Sequence, residues 1–546
     1  MTQAPDFVIV GSGAAGGVIA KELAVAGFRV VVLEQGPHLT ATDFHHDELA
    51  TVYRYALTND PRFSPTTFRR TDAEVAGPGG WLQYARLVGG GTAHFTANYW
   101  RFHEIDFNER SKIGAIAGTG FDDWPITYDE LEPYYTKVEW DIGVSGQAGV
   151  SPFDPPRSKP YPMPPLPVKS SGVLFERGAK RLGWHPFPAP MAIASQPYQG
   201  RNSCQHCGFC EFFGCEFGAK SSTLFTVIPR AQATGRCEIR SGCYVFRIDV
   251  DRRGRTTGVT YYDAHKRERR QRAKAVILCC NGAETPRLLL LSASSRFPDG
   301  LANSSGLVGK HLMFTGWALT SGVFEQPLNE FKSVLVTRVL QDFYETDPAR
   351  GFYGGGGLDA RLDFPPIGFA LSGLPPDVPR WGAEYQRTLR HYFTRTMNVA
   401  CHSTSLPLAS NNITLDPTVK DAWGLPALRI TYRDHPDDLS MMRWLQARGL
   451  ELLQAAGAQR TWSYPVTEQI GSNHLLGTCR MGTDAAASVV DRSHRTHDVP
   501  NLFICDGSSF VTSGRGQPTC TIQALAYRAA DHIAQRARAG EIPSGA

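Results

Sequence analysis

Two groups of residues in this sequence have types and spacings that could do chemistry. The first is Gly11, Gly13 and Gly16, at G-x-G-x-x-G spacing, followed by Glu34. Gly11 lets the chain turn sharply, Gly13 lets the backbone approach a pyrophosphate, and Gly16 lets helix and strand pack closely. Ala14 and Ala15 then open a helix whose free N–H groups and positive dipole end suit phosphates. Glu34 stands where an acid hydrogen-bonds an adenosine ribose. The second group is Cys204-Gln-His-Cys207-Gly-Phe-Cys210-Glu-Phe-Phe-Gly-Cys215. The C-x-x-C-x-x-C spacing places thiolates on one short loop, as in iron–sulfur ligation. The last cysteine follows after four residues, and no proline comes after it. Four thiolates also suit a closed zinc site. A third reading leaves the cysteines without metal, ordering the loop.

The elements that must position these groups follow from the pattern around them. Phe7 to Val10 is an apolar run of buried-strand type, a helix is predicted from about Ala14 to Ala26 with Gly27 as its stop, and Arg29 to Leu33 is a second strand. His38 to Ala76 has no clear period and reads as excursion and loop. Gly89, Gly90 and Gly91 allow close backbone approach to a ligand. Thr127 and Glu130 form a predicted capping box. Ser151 to Pro190 is proline-dense and reads as a linker or wrapping loop. Cys237 to Cys280 reads as a run of strands. A helix follows, with Thr285 as its N-cap and Pro286 at its first position. From His311 to about Tyr464 strand-like runs alternate with aromatics, which predicts a separate antiparallel sheet. A short strand ends on Asp506 and Gly507, and a closing helix spans about Thr519 to Arg538.

Composition excludes several classes. The chain has 546 residues, 42% of them hydrophobic and 20% charged, with a net charge of +4. These are ordinary values for a globular protein. The densest basic run, Lys266 to Arg272, lies between two strand-like segments and reads as a solvated hairpin edge, so no nucleic-acid role is expected. No apolar run reaches the roughly 18–20 residues of a membrane span. With Asp6 so near the start there is no room for a signal peptide, which predicts a cytoplasmic protein and argues against a disulfide framework among the cysteines. Cys279, Cys280, Cys401, Cys479, Cys505 and Cys520 read as small buried hydrophobes. His494 and His497 read as solvated loop residues.

Four separated blocks, Val8 to Glu34, Arg86 to Arg101, Val276 to Leu291 and His474 to Ile533, together resemble the glucose-methanol-choline (GMC) oxidoreductases, an FAD-dependent family that oxidises alcohols. The cysteine cluster is similar to that of the branch acting on gluconate and other sugars. The resemblance implies an α/β (α+β overall) fold. It has a discontinuous Rossmann-like FAD-binding domain (1–150, 200–310 and 468–546) and a substrate domain with a mainly antiparallel sheet flanked by helices (151–199 and 311–467). The residues agree with FAD over NAD, because Gly89 to Gly91 and Asp506-Gly507 add backbone contacts for a long cofactor from both chain ends. Asn98, Pro518 and Thr519 lie in the matching blocks and are assigned to the cofactor with them.

The resemblance also implies roles. His474 matches the catalytic histidine, the base that takes the hydroxyl proton. An ordinary histidine pKa of about 6.5 leaves such a base neutral near pH 7. Gln517 stands where most members carry His or Asn on the substrate oxygen. It can donate and accept hydrogen bonds but is no base, and a helix cap is its other reading. His94 occupies a position that in some relatives is bonded to the flavin, and covalent linkage or packing against the ring both fit it. Cys207, Cys210 and Cys215, with Cys204 spare, would hold a [3Fe-4S] cluster relaying electrons to a small partner subunit and a cytochrome or other acceptor. Such relatives can be exported folded with the partner, which opens a periplasmic route. The expected function is oxidation of a sugar, polyol or related alcohol by hydride transfer to flavin, with a non-oxygen acceptor. The alternatives are an alcohol oxidase using O2 and a non-redox flavoprotein such as a lyase.

Overall fold

The first strand forms where the apolar run stands, at Phe7–Val10, and every residue of it is buried. The computed structural model describes residues 4–543. The next helix, Ala14–Val25, ends ahead of Gly27, whose φ of +101° reverses the chain. It leads to the strand Val30–Leu33. These two strands pair in parallel with Phe7 opposite Val30. The parallel sheet runs Leu502–Ile504, Ala275–Leu278, Phe7–Val10, Val30–Leu33 and Cys237–Arg240. It is therefore assembled from both ends and the middle of the chain. All of its central strands read as continuous apolar runs, as a sheet covered on both faces requires. The closing helix, Thr519–Arg538, spans the predicted residues and packs beside the first helix.

A second sheet has six strands, in the order Arg460–Ser463, Gly316–Val323, Thr396–Ser403, Gly356–Arg361, Arg338–Leu340 and Phe187–Pro188. Every pairing in it is antiparallel. Its strands carry different chemistry on alternate residues. Ala318, Leu358, Ala360, Met397, Val399 and Cys401 join one apolar cluster with Met441, Met442 and Leu445 of the helix Pro436–Ala456. The intervening positions, among them Trp317, Asp359, Arg361 and His402, point the other way. Side chains that alternate with a period of two residues sort themselves between helix and cavity in this manner.

Several expectations change. The proline-dense stretch holds a helix, Ser170–Arg181. Prolines crowd both sides of it but leave 168–185 free, and buried Ser171, Leu174, Phe175, Gly178 and Ala179 follow helical spacing. The excursion after Glu34 contains the strand Thr66–Arg69, which pairs in parallel with Pro426–Thr431, so this segment crosses the expected division of the chain. Thr285 is no N-cap. The helix starts at Glu284, and the Asn281 side chain caps it by accepting from the N–H groups of Ala283 and Glu284. Thr127 does cap its helix, accepting from Glu130 N–H. His494 is fully buried, its Nδ1 3.0 Å from the Ile504 carbonyl. The basic run forms an exposed edge strand, Glu268–Arg272. Among the described residues no helix is long and apolar enough to cross a membrane.

Candidate active site

A cavity of about 500 Å³ opens between the two sheets. Its floor is the glycine turn. A Cβ on Gly11, where φ is +91°, would lie 2.5 Å from the Cys279 carbonyl oxygen, and one on Gly16 would lie 2.0 Å from the Gly11 carbonyl oxygen. Gly90 packs on the same turn, since a Cβ there would meet Gly13 Cα at 2.5 Å. Gly13, Ala14, Ala15, Gly90 and Gly91 line the cavity. Gly16 serves the packing behind it, and Gly89 donates its N–H to Ser12 Oγ. Ser12 in turn gives its N–H and O–H to Glu34 Oε2. Burial raises the Glu34 pKa against these bonds. At the far end of the parallel sheet Asp506 receives the Asn281 N–H, the Thr285 hydroxyl and the Ser508 N–H. Asp506, Gly507, Pro518 and Thr519 line the same cavity. Asn98 does not. Its Nδ2 donates to Asp359 at 3.0 Å, and its Oδ1 is buried without a partner.

The other end of the cavity gathers the polar residues of the antiparallel sheet. His474 Nδ1 lies 2.7 Å from Thr315 Oγ1, and its N–H donates to Ser472 Oγ. Lost hydration pushes its pKa down to about 3, with His402 nearby adding to the shift. It is therefore neutral through the physiological range. Thr315 sits at φ +59°, a region costly for a β-branched residue. Gln517 caps no helix, since the closing helix has no side-chain cap. Its Nε2 lies 3.2 Å from His402 Nδ1 instead. His402 Nε2 bonds Asp359 at 2.7 Å, and Arg361 forks onto the same carboxylate at 2.6 and 2.7 Å. Arg361 Nη1 also meets Asp363 at 3.2 Å and approaches Glu211 at 3.9 Å. Glu211 and Asp363 hydrogen-bond each other, and burial together with this mutual repulsion lifts Glu211 above the usual carboxylate range. One proton shared between them is the expected state.

His94 lies between the two ends. Its Nε2 is buried in the cavity wall without a partner, and burial beside the Lys220 cation lowers its pKa to about 4. An orphaned ring nitrogen next to a glycine cradle that any Cβ would fill fits a flavin at this place. The cysteine loop packs against it, with Phe212 N–H bonded to the His94 carbonyl. Buried Lys220 pins that loop through the Cys210 and Phe213 carbonyls, and Glu211 and Phe212 point into the cavity. The thiols themselves do not line it. All are free, and burial raises Cys204 to about 11 and Cys210 to about 12. Among the described residues no three His, Cys, Asp or Glu side chains are placed to hold a metal. Left-handed residues at His206, Gly208 and Phe212 shape the loop, and the four thiols stand near enough to one another to push their neighbours' pKa values up.

The structure thus brings His474, Gln517 and His94 to one cavity with the glycine cradle. His402, Asp359, Arg361, Glu211 and Thr315 were not foreseen from the sequence. The signal available was the charged residues at alternate positions of Gly356–Arg361, within an otherwise apolar strand.

Comparison with known proteins is consistent with this arrangement. Models of the GMC oxidoreductase family match residues 6–314 and 407–526. The chain is 35% identical to 2-methyl-1,2-propanediol dehydrogenase of Mycolicibacterium austroafricanum, over 97% of this chain and 95% of that protein. It is 30% identical to the fructose dehydrogenase large subunit of Gluconobacter japonicus, over 97% and 98%. Among solved structures, pyridoxine 4-oxidase from Mesorbium loti superposes with a TM-score of 0.67 at 17% identity, covering 97% of this chain and 99% of that one.

Proposed function

The chain belongs to the GMC oxidoreductase family, FAD-dependent enzymes acting on CH–OH groups, and from that premise we propose that it oxidises one alcohol carbon of a sugar, polyol or related compound with His474 as the base. The observation that carries this reading is the meeting of His474 and Gln517 at the end of the cavity opposite the glycine cradle, beside a wall of Arg361, Asp363 and Glu211. Bound FAD supplies the hydride acceptor. Gly13, Ala14, Ala15, Glu34, Gly90, Gly91, Asp506, Gly507, Pro518 and Thr519 would hold it, with His94 Nε2 as the ring contact or the point of covalent attachment.

The proton chemistry belongs to His474. With its Nδ1–H given to Thr315 Oγ1, the Nε2 lone pair is left to take the substrate hydroxyl proton. Burial keeps this histidine neutral, so its lone pair is free, and a ring whose pKa is lowered in this way returns the proton readily after accepting it. Gln517 holds the substrate oxygen. The shared-proton pair Glu211–Asp363 offers both a donor and an acceptor to a further hydroxyl, which favours polyhydroxy substrates over simple alcohols. Phe212, Phe314 and Trp317 supply the apolar surface that thins water around the reacting carbon.

The dehydrogenase relatives support an acceptor other than oxygen, and the words "large subunit" in one of their names support a small partner subunit here. An iron–sulfur relay at Cys207, Cys210 and Cys215 would require the thiols to be drawn together from the places they take, and iron analysis of the purified protein decides it. An anaerobic screen of alcohols and sugars for bleaching of the flavin tests the whole reading. Bleaching by a polyol supports it, and a flavin that no alcohol reduces refutes it.

A further inference from the structure

The strands Gly356–Arg361 and Thr396–Ser403 pair with Gly357 opposite His402 and Asp359 opposite Ala400. Asp359 and His402 are therefore diagonal neighbours on one face of the sheet. A Cβ on Gly357 would lie 2.8 Å from the Trp100 ring, so the glycine makes room for that indole beside His402. Trp100 and Trp317 meet the imidazole edge-on, with centroids 5.4 and 4.9 Å away. The ring is thus held on both flanks.

The hydrogen-bond inventory fixes its tautomer. Burial works against ionisation of Asp359, but the Arg361 guanidinium and the hydrogen bonds from Arg361 and His402 outweigh it and hold the carboxyl down to about 2. An ionised carboxylate only accepts, so His402 Nε2, at 2.7 Å, must carry the proton. When the ring carries that one proton, Nδ1 is a lone pair. The group facing it, Gln517 Nε2 at 3.2 Å, is a donor. The amide is thereby oriented with one N–H spent on His402. Its second N–H and its Oε1 have no protein partner, and the side chain lines the cavity.

We propose that Asp359 and His402 are positioning residues for the oxidation, setting the orientation in which Gln517 meets the substrate oxygen. The proposal rests on the reading of Gln517 as a substrate ligand. It also accounts for a glutamine at that place. An amide one methylene longer than asparagine has more rotational freedom, and a fixed acceptor at His402 removes it. The charged and titratable groups around the ring are Asp359, Arg361, with Nη2 at 3.4 Å, Asp363 on the same wall and His474 across the cavity.

The test is a double-mutant cycle on the FAD-loaded enzyme, using anaerobic flavin reduction by its alcohol substrate resolved into a limiting rate and an apparent Kd. His402→Phe and Gln517→Leu should each lower the limiting rate by about 10- to 100-fold, with a smaller change in Kd, and the double variant should be no slower than Gln517→Leu. Multiplying losses overturn the proposal. Wild-type reduction by Gln517→Leu overturns the ligand reading itself, and the proposal with it. Should His402→Phe fail to hold FAD, Asp359→Asn serves instead. It keeps the shape but lets an amide N–H face His402 Nε2, moving the ring proton to Nδ1. A limiting rate reduced about 10-fold or more at full FAD content supports the positioning role, and an unchanged rate overturns it.

Discussion

His474 Nδ1 lies 2.7 Å from Thr315 Oγ1, and that contact leaves Nε2 as the ring nitrogen that a substrate would meet on the proposed reading. A hydroxyl can donate or accept, but a base at Nε2 needs the threonine to accept. Thr315 holds this position at φ +59°, a conformation that β-branched residues reach only when the surroundings impose it. Thr315→Val keeps the shape and removes the hydroxyl. We expect kcat/KM to fall by about 10- to 100-fold with FAD content unchanged, read by steady-state kinetics and flavin absorbance.

Gly90 in the glycine cradle leaves no room for a side chain. Gly90 has φ +55° and would place a Cβ 2.5 Å from Gly13 Cα. Gly90→Val should therefore yield protein with little FAD. The ratio of flavin to protein absorbance after purification measures this, and a wild-type ratio would contradict the cradle.

Substrate choice is expected to lie in the carboxyl pair. Glu211→Leu removes the partner of Asp363 and the polar face it offers. For a polyhydroxy substrate kcat/KM should drop by about 5- to 150-fold, the range for one lost polar contact of about 1–3 kcal/mol. A simple alcohol should lose far less. Equal losses on both substrates would refute the role.

Acid should destabilise the protein early. His94, with a pKa near 4, and His474 and His494, each near 3, are held neutral by burial. The unfolded chain binds protons on these rings below about pH 6.5 while the folded chain does not. Their stabilising contribution is complete above that pH and is lost progressively as pH falls towards 4. Glu34 and Asp438, raised by burial, act in the opposite sense. Unfolded carboxyls, with pKa values of about 4, stay ionised through about pH 6.5 to 5, so these raised groups offset part of the histidine effect across that window. A melting temperature that falls steadily from about pH 7 to about pH 5 is expected.

Local chemistry was legible in the sequence wherever a single segment carries it. The strand–turn–helix–strand from Phe7 to Leu33 and the helix Thr519–Arg538 stand within a residue or so of their expected places. His474 and Gln517 lie in recognisable blocks and do reach one cavity. The rest of the site depends on register. Asp359, Arg361 and His402 meet only because Gly356–Arg361 pairs with Thr396–Ser403 in one particular alignment, and no local pattern encodes a partner some forty residues away. The cysteine spacing marks a single loop, which Lys220 and left-handed residues at His206, Gly208 and Phe212 shape. His494 looked solvated among polar neighbours, yet the strand Leu502–Ile504 covers it.

The central claim is that His474 takes the substrate proton. Its most direct test is anaerobic flavin reduction by the alcohol substrate in His474→Ala, compared with reduction of the same sample by dithionite. The account predicts a rate of reduction by the alcohol lower by about 100- to 10,000-fold, the usual contribution of a positioned base, with FAD content and dithionite reduction unchanged. Reduction by the alcohol at the wild-type rate would contradict it.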